Sequence, residues 1–385
     1  MKRALLVLFT MLLATAVVDD AYSQGREQRQ RERETRRNLR RQQNYRGDSR
    51  ITLPPGQRYI GVGVALNSFN YFGDLAPTSA FYSTDISFTR PGLGIYGTYR
   101  FLSNRIDVSS GFNWGTLRAS DASSDPEGIN TRYNYMRNLS FRNQIFEYTA
   151  AARFYLLEDG SGVRQRKPWN PYAIVGGALF FHNPKAQVPE FDIINNYDAN
   201  TGTFNPQPIT PATHEGYSPG DWVALRRLRT EGEGIVDGVN NYSLIQGAIL
   251  GGLGIRYKLA DYLDLSFDVN IRYLFTDHID DVSGKYVDLG VLPNDLARVM
   301  SDRSLETMER FGGTLSDDFV RSLYPSIFQT YTSQGDNQTY AILPGRGRFA
   351  DDNIRGKQGN DIYYVAAFKL TYILGGSLKS SNQFR

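Results

Sequence analysis

The chain has 385 residues, enough for two or three soluble domains on length alone, but 13% are aromatic (25 Tyr and 22 Phe) and 37 are glycine, a strand-rich profile. With no cysteine and three histidines, disulfide frameworks, thiolate zinc sites, thiol catalysis and lipid attachment through an N-terminal cysteine are excluded. The net charge of +3 hides an asymmetry: residues 24–50 carry ten arginines against Glu27, Glu32, Glu34 and Asp48, so a +6 arm precedes a −3 body.

Residues 1–23 read as a secretory signal peptide, with Lys2 and Arg3, the apolar run Ala4–Val18, and small residues Ala21 and Ser23 before cleavage at Gln24. The run is shorter than the roughly 20 residues of a membrane-spanning helix. Residues 24–57 form the Arg-rich arm, whose Gln, Glu and Arg content without apolar periodicity predicts a flexible or weakly helical tail. Arg33, Arg36, Arg37, Arg40 and Arg41 are its candidate partner-binding residues, with a plain solvated linker as the alternative.

The overall mean hydropathy of −0.43 looks soluble, yet strands that alternate apolar and polar residues average to such a value while crossing a membrane. Period-2 alternation is sharpest over Leu263–Phe275, where Leu263, Leu265, Phe267, Val269, Ile271 and Tyr273 alternate with Asp264, Ser266, Asp268, Asn270 and Arg272. Gln144–Leu156, Ser243–Lys258 and Ile362–Leu374 follow the same rule. Tyr59–Asn67, Leu93–Leu102, Ile106–Leu117 and Tyr172–Phe181 fit less sharply, and the last is apolar on both sides. Eight segments predict an all-β fold, an eight-stranded antiparallel transmembrane β-barrel, because an open sheet edge cannot lie in hydrocarbon.

The barrel occupies residues 58–374, followed by a C-terminal tail, 375–385. The links at 103–105, 157–170 and 259–262 are short to moderate, whereas 68–92, 118–143, 182–242 and 276–361 are long. Outer-membrane barrels carry short turns on the periplasmic side and long loops outside, which predicts periplasmic N- and C-termini, with large extracellular loops at 182–242 and 276–361. Within the last loop, Asn294–Met300 and Ser301–Phe311 read as short helices over the barrel mouth, the second ending at Gly312 and Gly313.

On the inward faces Arg100, Arg153, Arg256, Lys258, Arg272 and Lys369 meet Asp107, Glu147, Asp264 and Asp268. These could line a solute path, but eight strands enclose a lumen that side chains fill, which favours a charge network. Gly176, Gly177, Gly251, Gly252 and Gly254 lack the Lys-Ser/Thr and helix start of a phosphate loop. Asp277, Asp280, Asp281 and Asp288 lack the spacing of a calcium loop and read as turn chemistry. His182 and His278 stand near strand ends, where a lipid hydrolase would need a serine and a carboxylate as well. The reading is therefore non-enzymatic, without catalytic, cofactor or metal residues, and a periplasmic arm makes nucleic acid improbable as a partner.

Several stretches resemble a known family: Asn70–Leu75 (NYFGDL), Phe141–Leu156, Asn170–Pro184, Leu228–Gly234, and most specifically Gly251–Asp288. Together they are similar to the PorG-type outer-membrane barrels of the type IX secretion and gliding machinery of Bacteroidota. The resemblance runs through most of residues 59–374. It implies a barrel that transports no solute itself, sits in outer-membrane lipid, and anchors a periplasmic ring built from a lipoprotein and its partner. The Arg-rich arm, the large last loop and the segment Gly375–Arg385 depart from that pattern. A surface-binding or adhesin-like barrel, using its long loops, is the alternative.

Overall fold

The computed structural model describes residues 58–75, 89–125, 131–160, 163–306, 329–342, 354–356 and 359–374. The signal segment, the arm with Arg33, Arg36, Arg37, Arg40 and Arg41, and the tail 375–385 lie outside the described residues. Eight long strands appear in chain order: β1 Tyr59–Phe72, β2 Arg90–Ser103, β3 Ile106–Ser120, β4 Ser140–Tyr155, β5 Trp169–Phe181, β6 Ile245–Ala260, β7 Leu263–Leu274 and β8 Ile362–Leu374. Each pairs antiparallel with its sequence neighbours, and β1 closes on β8 from Ile60 opposite Leu374 to Phe72 opposite Ile362. The sheet therefore has no free edge within the barrel, which is the condition for a sheet to sit in hydrocarbon.

Along the middle of the strands the exposed outward positions are mostly apolar, and the charged side chains turn inward. Leu253 of β6 is 67% exposed while Asp268 of β7 is 0% exposed. The exposed apolar positions from Phe146 of β4 to Leu156, one residue past its end, span ten residues, which at about 3.4 Å each and a tilt near 40° gives a belt about 25 Å tall. That matches the apolar height of an outer-membrane barrel.

Four strands run further toward the long-loop end than alternation predicts: β1 to Phe72 rather than Asn67, β2 from Arg90, β3 to Ser120 and β4 from Ser140. Here the alternation inverts. Phe69, Leu117, Phe141 and Ile145 are buried inside, while Gln144 and Arg142 are exposed outside. The strands have left the apolar belt, so water faces the outer wall and a protein core fills the inner one. β5 is apolar on both faces, with Tyr172, Ile174, Ala178 and Phe180 buried inside and Val175, Leu179 and Phe181 exposed outside.

The long loops build that core. Buried Leu75, Met136, Ile193, Leu228, Ile279 and Leu296 join the inward residues of the upper barrel in one continuous apolar cluster. Helix α1 (Arg132–Arg137) ends at Asn138, whose φ of 57° is the left-handed conformation that asparagine tolerates well. Helix α2 is the single turn Leu225–Leu228. Helix α3 (Asp295–Ser301) starts where Asn294 accepts a bond from the Ala297 N–H at 2.7 Å, and it buries Leu296, Val299 and Met300. It accords with the helix expected at Asn294–Met300. Residues 302–305 that follow are turn rather than helix, with Asp302 accepting from the Ser304 N–H and hydroxyl at 3.0 and 2.6 Å. Beyond Glu306, the rest of Ser301–Phe311 lies outside the described residues.

An arginine placed mid-belt in the Leu253→Arg variant should cost about 2–4 kcal/mol of folding free energy. Gln144→Arg, two positions above the outward ring of Phe146, should change it by less than about 0.5 kcal/mol. Urea titration of folding into phospholipid vesicles checks both.

Candidate functional site

The barrel interior carries the densest chemistry in the chain, arranged in layers. At the short-turn end Asp159 accepts two bonds from Arg256, each 2.8 Å, and pairs with Arg100. Asp107 accepts from Arg153 Nε at 2.7 Å and from the Tyr155 hydroxyl at 2.9 Å, with Arg100 3.6 Å away. Arg166 pairs with Asp264 and donates to the Asp261 carbonyl at 2.7 Å. The guanidinium of Arg100 lies 4.6 Å from the centroid of Tyr155, and that of Arg256 lies 4.8 Å from it on the same ring. All these charges are buried, so each requires the others.

In the middle layer Asp268 holds the Lys369 ammonium at 2.8 Å, the Tyr172 hydroxyl at 2.9 Å and Asn270 Nδ2 at 2.6 Å. Gly254 makes this possible: a Cβ there would stand 2.5 Å from the Tyr172 ring and 2.7 Å from Asp268 Cβ. Gly176 and Gly252 are likewise inward at close approaches, while Gly251 meets only open space. In the upper layer Arg272 bonds both oxygens of Glu147 at 3.1 Å, and Glu147 also takes the Tyr363 hydroxyl at 2.6 Å and Asn113 Nδ2 at 3.1 Å. A void of about 30 Å³ beside Tyr96, Arg153, Asn270 and Lys369 has room for about two waters.

The structure thus brings Arg100, Asp107, Glu147, Arg153, Arg256, Asp264, Asp268, Arg272 and Lys369 into one interior. Lys258 is placed differently. It lies at the short-turn rim, where its ammonium meets the Asp261 carboxylate at 2.9 Å and the Arg164 carbonyl at 2.7 Å. Lysine's long stem carries the charge past the last inward position to the aqueous edge.

Sequence reasoning missed Asp159 and Arg166 because they belong to the link between β4 and β5, where no periodicity exists to report facing. The link folds back into the barrel end. Val163 packs there with Tyr59 and Ile373, and Arg166 is buried. Burial alone would raise the Asp159 carboxyl, but the bonds and charges of Arg256 and Arg100 hold it below the usual carboxylate range.

At the opposite end the loop core contains its own polar cluster. Tyr242 is sandwiched between His182 and His278, with centroids 5.8 and 4.7 Å away and planes within 19° and 15°. Ser283 donates to Glu231 at 3.0 Å and lies 3.4 Å from His278 Nε2, while Glu231 is paired with Arg355 at 2.9 Å. A nucleophilic triad needs its carboxylate on the histidine's far nitrogen. Here the carboxylate binds the serine, and His278 Nδ1 has no hydrogen-bond partner among the described residues. Asp280 accepts from Tyr71 at 2.5 Å, Asp281 from Thr230 at 2.6 Å and Tyr242 at 2.5 Å, and Asp288 from the Gly290 N–H at 3.2 Å. Their oxygens serve hydroxyls and amides, and among the described residues no group of three His, Asp or Glu is placed to hold a metal ion.

The chain is an eight-stranded membrane barrel. No family model and no curated protein matches its sequence. Solved structures similar to it include Ail, the attachment invasion locus protein of Yersinia pestis, in complex with the heparin analogue sucrose octasulfate, at 7% identity and a TM-score of 0.26, covering 82% of this chain and 97% of that one. Neisserial surface protein A has 8% identity and a TM-score of 0.29 over 82% and 96%. OprG from Pseudomonas aeruginosa has 11% identity and a TM-score of 0.29 over 83% and 95%.

Two predictions follow from these clusters. Glu147→Leu should cost about 3–5 kcal/mol by stranding Arg272, and adding Arg272→Met should recover at least half of that, as a double-mutant cycle of unfolding midpoints would measure. The second concerns pH. Burial pushes the Asp277 carboxyl from 3.8 up to about 7, with Asp74 and Glu231 adding to the rise. Because the folded state holds the proton more tightly, that stability is complete below pH 3.8 and is lost as pH rises through about 7. Burial pulls His182 from 6.5 down to about 4, so its stability is complete above pH 6.5 and is lost as pH falls through about 4. Asp277→Asn should therefore raise the unfolding midpoint at pH 8 and leave it unchanged near pH 4, while His182→Gln should flatten the acid limb.

Proposed function

We propose that this chain is a non-enzymatic outer-membrane barrel that anchors or organises a periplasmic protein-secretion assembly rather than passing solute. The observation that supports this reading most is the filled interior: three layers of paired charges, a β4–β5 link folded into one end and a loop core built over the other. A conducting pore needs a continuous aqueous path, and eight strands leave room for one only if the side chains withdraw. The apolar belt and the secretory signal read in residues 1–23 support the outer membrane as its place, with the short turns and both termini in the periplasm.

The sequence resemblance to PorG-type barrels supports the type IX secretion and gliding machinery as that assembly, with the periplasmic lipoprotein and its partner as what the chain holds. Arginine in the arm favours carboxylate-bearing partners through two-pronged pairing. A second reading, a surface-binding barrel, is favoured by the loop core, since loops with their own apolar cluster present a fixed surface to the outside.

Reconstituted in planar bilayers, the protein should show almost no single-channel conductance, and steady open-pore currents would exclude the anchoring role as stated. Deleting residues 25–50 should release the periplasmic partner from co-purification while the barrel still inserts. Loop deletions that abolish surface binding and spare secretion would favour the second reading.

A further inference from the structure

The register on the outer wall orders three kinds of side chain by height. Trp114 of β3 lies opposite Phe146 of β4, which lies opposite Phe181 of β5. These rings are 41%, 52% and 41% exposed. Two positions nearer the long-loop end Thr116 lies opposite Gln144. Two further, Arg118 lies opposite Arg142, and Arg142 lies opposite Lys185. Lys185 opens the short strand Lys185–Gln187, which continues the line of β5 along β4 and pairs in turn with Trp222–Ala224. The guanidinium of Arg142 stands 5.5 Å from the centroid of the Trp222 ring.

Directly opposed residues in an antiparallel pair have Cβ atoms about 5 Å apart, and like charges so placed are destabilising. Here three cations share one row, and among the described residues no carboxylate lies within ion-pairing distance of any of them. Among the described residues the charges inside the barrel are paired; these three are not. Outward positions elsewhere at this end are Asn70, Pro91, Ile245, Tyr273 and Tyr364, so the cations are confined to one sector. Four residues along a strand tilted near 40° raise the row about 10 Å above the aromatic rings. Interfacial aromatics mark the edge of the hydrocarbon, and the headgroup layer lies just beyond it.

We propose that the row Arg118, Arg142 and Lys185 binds the phosphate of an outer-leaflet glycolipid whose acyl chains pack on Trp114, Phe146 and Phe181. Guanidinium forks match phosphate oxygens in two-pronged geometry, and stacking on Trp222 holds one fork in place. The anion relieves the repulsion across β3, β4 and the short strand. The inference rests on the reading above that the long loops face the outside of an outer membrane.

The full chain, purified in mild detergent, would be titrated with bis-phosphorylated lipid A, its dephosphorylated form, phosphatidylglycerol and inorganic phosphate, with bound lipid read by native mass spectrometry. Bis-phosphorylated lipid A should bind the wild type at least about tenfold more tightly than the R118Q/R142Q/K185Q variant, with R118K/R142K falling between the two because lysine keeps the charge and loses the fork. The dephosphorylated lipid should bind the wild type no better than the phosphorylated lipid binds the triple variant. Equal binding of wild type and triple variant would overturn the proposal, as would equal binding of the two lipid A forms. Preference for phosphatidylglycerol, or displacement of lipid A by millimolar inorganic phosphate, would overturn the glycolipid as occupant. Heat-modifiable migration of every variant separates loss of the site from loss of the barrel, with R142Q alone as the milder change. If the wild type itself failed to migrate so, the membrane reading would fall, and this inference with it.

Discussion

Asp159 accepts both prongs of Arg256 and the charge of Arg100, and so joins the β4–β5 link to β6 and β2 on opposite arcs of the wall. Much of the molecule's character descends from that one buried carboxylate and the pairs stacked above it. Charges this deep in a narrow barrel are tolerable only when each is matched, and matching them fills the space through which a solute would pass. The interior is therefore the internal framework. The anchoring role proposed above draws on that filled space.

Where the chain is legible to sequence reasoning, one physical rule suffices. Between apolar lipid outside and paired charge inside, alternate residues must differ in kind, and Leu263–Leu274 shows it position by position. The rule ends where the environment does. At Phe69, Leu117, Phe141 and Ile145 the inner face is apolar and the outer face polar, so a reader following a single phase stops the strand several residues early. The even apolarity of Tyr172–Phe181 has the same origin, since β5 is lined by lipid outside and by the loop core inside its upper half.

The interior site was readable to the extent that it stood on strands. Nine of its charged residues occupy inward positions that alternation identifies. Asp159 and Arg166 do not, because a link folded back into the lumen carries no period. Lys258 shows the converse limit: its position is inward by count, yet its stem is long enough to deliver the ammonium to the aqueous rim. In the loops, the stack of His182, Tyr242 and His278 joins residues about 60 and 36 apart in the chain, a proximity that only tertiary structure creates.

The link carrying Asp159 and Arg166 also bears on how such a barrel assembles. Its bonds run to Arg100 of β2, Arg256 of β6 and Asp264 of β7, strands made before and after it. A sheet that stopped short of β7 would hold these ions unmatched in a medium that punishes bare charge, so the link favours the curling that carries β6 and β7 round toward β2. The turn thus acts as a latch between early and late strands.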